Sequence, residues 1–78
     1  MRSLLDTNVL VYADAGDEPT KQQQAIALIS SLRASGQAVL STQVLQEYVN
    51  VAVRKLRLPP PLIRERLEFY KGFEVVAT

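Results

Sequence analysis

The sequence predicts an α/β fold organised around a parallel sheet. Short apolar runs bounded by polar or turn residues alternate with longer segments of helical period, in the order β-α-α-β-α-α-β. Strands separated by helices in this way pair in parallel. The composition, 47% hydrophobic and 22% charged over 78 residues, is that of an ordinary globular chain and allows one small domain.

Each element has its own signal. Leu4 and Leu5 close a short buried strand, roughly residues 2–5. Asp6 or Thr7 then caps a short helix whose first turns are Val9 to Ala13. The Gly, Pro and Asp content of Asp14 to Thr20 reads as a loop, with Asp14, Asp17 and Glu18 in solvent. Ala25, Ile26, Ile29 and Leu32 recur at helical spacing and predict a helix over about 20–35, with Gly36 at its C-terminus. Residues 37–41 are short, apolar and bounded, and read as the second strand. Ser41 or Thr42 caps the next helix, which runs to about Leu56 on a stripe that includes Val44, Leu45, Tyr48, Val49, Ala52 and Val53. Pro60 or Pro61 opens a fourth helix carrying Leu62, Ile63, Leu67 and Tyr70, and Gly72 ends it. Residues 73–78 form the third strand. Tyr12, Tyr48 and Tyr70 fall on apolar stripes, which points to core packing rather than base stacking.

Composition also excludes chemistry. The chain has no Cys and no His. Disulfides, the usual zinc sites, Ser-His triads and imidazole acid–base catalysis are therefore out. The net charge of +1 gives no strong electrostatic footprint. No apolar run approaches the ~18 residues of a membrane span, and Met1-Arg2 leads straight into a strand-like segment. The expected address is the cytoplasm, with no membrane partner.

In open α/β sheets, ligands bind beyond the carboxyl ends of the strands. Asp6 follows strand one, Ser41 and Thr42 follow strand two, and Glu47 lies about one turn into the following helix. Two carboxylates converging there suit Mg²⁺ or Mn²⁺, and such a site is suited to phosphodiester hydrolysis. The same residues also read as an ordinary helix cap and an ordinary surface acid. Arg54, Lys55 and Arg57 close the long helix. They read either as an RNA phosphate contact or as cations complementing a helix C-terminus.

"LLDTNVLVYA" together with "VLSTQVLQEYVNV" resembles the front of the PIN-domain family, including the VapC-like toxin ribonucleases of bacterial toxin–antitoxin pairs. The resemblance runs from Ser3 to Thr78. It implies a three-layer α/β/α fold, incomplete here, with strand order three-two-one and further strands beyond. It implies Mg²⁺-dependent cleavage of single-stranded RNA and a cognate antitoxin protein. On it, Asp6 and Glu47 match metal-binding acids, Thr7 and Asn8 the residues that hold Asp6, and Thr42 a hydroxyl near the site. A PIN domain is longer and carries further acids, so the chain reads as its N-terminal portion, with weak metal affinity and an open site. Strand one would then be an exposed edge, and self-association is expected. Two other readings stand beside the ribonuclease. One is a non-catalytic oligomeric or interaction module that keeps the same fold. The other is a small DNA-binding regulator, against which the strand–helix alternation and the lack of a basic arm both count.

Overall fold

The computed structural model describes residues 2–77. Its order is β1 (Ser3–Leu4), α1 (Thr7–Ala13), α2 (Pro19–Ser35), β2 (Ala38–Ser41), α3 (Thr42–Arg54), α4 (Pro60–Tyr70) and β3 (Glu74–Val76). The three strands form one parallel sheet with β2 in the centre. The fold class is therefore mixed α/β, as the alternation predicts. The expected end of the third strand, Thr78, lies outside the described residues.

The caps explain where the helices begin and end. Asp6 is the N-cap of α1, and its side chain accepts from the Asn8 backbone N–H at 3.0 Å. Ser41, rather than Thr42, caps α3 by accepting from the Val44 N–H at 3.0 Å. Prolines occupy the first turns of α2 and α4, where a missing N–H costs nothing. Gly36 closes α2 in the left-handed region, with φ +70°.

α3 ends at Arg54, short of the expected Leu56. Arg57 takes φ +51°, which turns the chain away, and the Leu58 N–H donates back to the Ala52 carbonyl at 3.0 Å. This is a helix stop of the kind glycine usually makes, built here on an arginine.

Both crossovers, β1 to β2 and β2 to β3, step in the same direction across the sheet. Right-handed crossovers then place both helix pairs on one face. Leu5, Ala38, Leu40 and Phe73 supply that face and join Leu10, Ile29, Tyr48, Ala52, Ile63 and Tyr70 in the core. The described residues thus form two layers, one of helices and one of strands. On the other face Leu4 is 65% exposed, and Arg2 reaches across the central strand to pair with Glu74.

Candidate functional site

The carboxyl ends of the three strands meet in an open crevice of about 450 Å³. Leu5, Ser41 and Val76 mark the strand ends, α1 supplies Asp6 and Thr7, and α3 supplies Gln43, Val44 and Glu47. Asp6 reaches the crevice because a helix cap must sit at the strand–helix junction. Glu47 reaches it because it lies on the first turns of a helix that starts at the neighbouring strand end. Both carboxylates are solvent-exposed.

Their anchoring differs from the sequence expectation. Thr7 does not hold Asp6. Its hydroxyl donates to Glu47 Oε2 at 2.9 Å. The Gln43 side-chain amide donates to the other oxygen, Oε1, at 3.2 Å. Glu47 is therefore held from both sides, once from α1 and once from its own helix. Among the described residues, Asp6 is fixed by the Asn8 backbone alone, and the exposed Asn8 contributes that N–H. Thr42 is half-buried beside the crevice, whose wall there is made by Ser41, Gln43 and Val44.

The donor set fits a hard divalent cation. It offers carboxylate oxygens with lone pairs to spare, a side-chain amide and hydroxyls, in a crevice open to water. Mg²⁺ commonly takes one or two carboxylates and completes its octahedron with water and phosphate oxygens. Among the described residues, no group of three or more His, Cys, Asp or Glu side chains is placed to hold a metal.

Arg54, Lys55 and Arg57 lie elsewhere. All three are exposed at the far end of α3, with Arg54 seven residues, or about 10 Å of helix, beyond Glu47.

A second polar cluster was not foreseen. Asp14, expected in solvent, has a side chain only 5% exposed. Its Oδ1 pairs with Arg66 Nε at 2.9 Å, and its Oδ2 accepts from the Tyr48 hydroxyl. A carboxylate at the C-cap of α1 faces the negative end of that helix, so Arg66 on α4 supplies the compensating charge. Burial, followed by the hydrogen bond to Asp14, pushes the Tyr48 phenol well above its usual range. Burial and the Asp14 charge push Tyr70 up to about 12, with Arg66 opposing. The hydrogen bond to Asp14 raises Arg66 further. Tyr48 and Tyr70 are core residues, as their stripes suggest, and pack edge to face at 5.7 Å. Tyr12 is only half-buried and lies under the Lys21 ammonium, 5.0 Å from its ring centroid.

Of the residues that sequence reasoning missed, Gln43 was the one within reach, four positions before Glu47 on the same helix face. The Asp14–Arg66 pair spans 52 positions, and nothing local announces it. Among the described residues, no helix is long and apolar enough to cross a membrane. Comparison with family models, with curated proteins and with solved structures finds no match to this chain.

Proposed function

We propose that the chain is a PIN-type nuclease unit whose crevice hydrolyses phosphodiester bonds of single-stranded RNA with Mg²⁺ or Mn²⁺. The observation that carries this reading is the convergence of Asp6 and Glu47 on one crevice at the carboxyl ends of parallel strands. Asp6 and Glu47 would hold the cation. A cation bound there supplies charge neutralisation at the phosphate and an acidified water.

The chain's own residues do the positioning. Thr7 and Gln43 fix both oxygens of Glu47, so that carboxylate presents its remaining lone pairs in one orientation. The Asn8 N–H fixes Oδ1 of Asp6, a residue that lines the crevice. Ser41 and Thr42 set the start of α3 and with it the height of Glu47. Cleavage at the crevice does not require RNA contact with Arg54, Lys55 and Arg57, which lie about 10 Å along α3 from Glu47.

Two partners follow from the family resemblance and the sheet. One is a cognate antitoxin protein. The other is a second copy of the chain, because among the described residues β1 pairs on one side only, leaving an edge that carries the exposed Leu4. Light scattering at rising concentration reads the second, and a monomer throughout removes it.

The test is cleavage of a labelled single-stranded RNA with Mg²⁺ or Mn²⁺, run beside Asp6→Asn and Glu47→Gln. The reading requires metal-dependent cleavage that falls by a factor of 100 or more, about 3 kcal/mol, in each variant. Cleavage unchanged in both variants overturns it. Among the described residues only Asp6 and Glu47 bring acids to the crevice, which favours one rival, a non-catalytic interaction module with the same fold. Its signature is no cleavage under any metal.

A further inference from the structure

The end of α3 away from the crevice carries a different kind of surface. Val53, Leu58, Pro60, Ile63 and Leu67 floor an open groove of roughly 530 Å³ between α3 and α4. Val53 is 55% exposed there, a branched apolar side chain left in water. Arg57 and Arg64 line the same groove, and the exposed Arg54 and Lys55 follow Val53 directly. Among the described residues, none of these four cations is in an ion pair. Among the described residues, no acid lines the groove. The nearest acids on α4 are turned to other uses: Glu65 lines the cleft against α2, and Glu68 pairs with Lys71.

We propose that this groove docks a segment of a partner protein that is apolar on one side and acidic on the other, an acidic amphipathic helix. An apolar floor takes such a helix by its anchors at i, i+3 or i+4, and i+7. The ring of unpaired cations selects acidic flanks and rejects basic ones. Other occupants fit less well. RNA would answer the cations but leave the floor wet, and among the described residues no aromatic side chain lines the groove for a base to stack on. A second copy related by a two-fold axis would bring one cation-lined groove against another, and like charges in an interface are costly. A lipid surface is too flat to fill a groove between two helices. The proposal does not depend on the ribonuclease reading. The groove lies at the opposite end of α3 from the crevice, so the partner would dock without covering Asp6 or Glu47.

The test uses the whole chain and a synthetic fluorescent peptide of about sixteen residues, long enough for several helical turns, with Leu on one face and Glu on the other. A version with Lys in place of Glu and one of scrambled order serve as controls. Anisotropy should report binding of the Glu peptide with a Kd on the order of tens of micromolar, weakening as salt is raised. Val53→Asp, and Arg57→Glu combined with Arg64→Glu, should each weaken it tenfold or more. Charge reversal at Arg57 could disturb the turn, so Arg57→Gly is the companion variant. Glycine adopts φ +51° freely and removes the cation alone. It should weaken binding several-fold with the circular dichroism spectrum unchanged. Four results overturn the proposal: no binding up to about 1 mM, equal binding of the Lys or scrambled peptide, displacement of the peptide by polyuridine RNA that itself depends on Arg57 and Arg64, or a dimer that Val53→Asp dissolves.

Discussion

The two ends of α1 each carry an aspartate, and they live in opposite conditions. Asp6 caps the N-terminus, where the helix dipole favours its charge, and stays exposed, with one oxygen uncommitted among the described residues. Asp14 caps the C-terminus, where the dipole opposes it, and is buried with both oxygens engaged by Arg66 and Tyr48. The comparison separates two uses of a carboxylate. One whose partners are all internal serves the fold. One that the fold stabilises yet leaves open to solvent is available to a ligand. Glu47 is intermediate: exposed, but held on both oxygens by Thr7 and Gln43.

The largest expected effect lies at the buried end. Arg66→Met leaves the Asp14 charge facing the helix C-terminus without a cation. Losing one partner of a fully buried pair costs about 3–5 kcal/mol. The Arg66 side chain is 38% exposed, so water recovers part of that, and a loss of roughly 2–3 kcal/mol in urea unfolding is expected. A change under about 0.5 kcal/mol would mean that Asp14 is satisfied without Arg66.

Alkaline pH probes the same cluster next. An unfolded Tyr70 releases its proton near 10, and the folded one holds it to about 12. Stability from its burial is complete below pH ~10 and drains away as pH rises toward 12, by about 2–3 kcal/mol in all. Tyr48, raised by burial and by Asp14, carries the loss to still higher pH. Urea midpoints measured against pH, with phenolate absorbance followed in parallel, check this. In Tyr70→Phe the decline above pH ~10 should become shallower.

The exposed end gives the smallest change in stability and the cleanest separation of roles. Asparagine caps a helix about as well as aspartate, whereas alanine loses about 1 kcal/mol. Asp6→Asn should therefore leave the melting temperature nearly unchanged while weakening Mn²⁺ binding, and Asp6→Ala should lose both. Equal Mn²⁺ affinity in wild type and Asp6→Asn would make Asp6 a cap and nothing more. Calorimetric titration of Mn²⁺ beside thermal melts supplies both readings.

The elements were legible wherever the cause is local. The 3.6-residue stripe on α3, the prolines of α4 and Gly36 after α2 are decided within a few residues of themselves. Asp6 was legible for the same reason, since a polar run at a strand end must cap or bind. What sequence reasoning got wrong depends on packing. Thr7 faces Glu47 across 40 positions, and Asp14 finds Arg66 only once α4 has come up beside the C-terminal end of α1. The early end of α3 was hidden in another way. An arginine at φ +51° does a glycine's work, and residue type alone gives no warning of it.

The sheet register bears on how the molecule reaches its fold. Ser3 pairs with Ala38, and Val39 pairs with Glu74. Both crossovers thus close loops of the same length, and no strand meets its neighbour through a hairpin. Loop-closure entropy therefore favours neither pairing, and helix formation between the strands shortens the path to both. β2, the only strand shared by both pairings, becomes the common gate. A slip there would misplace both ends of the sheet at once, including the crevice they frame.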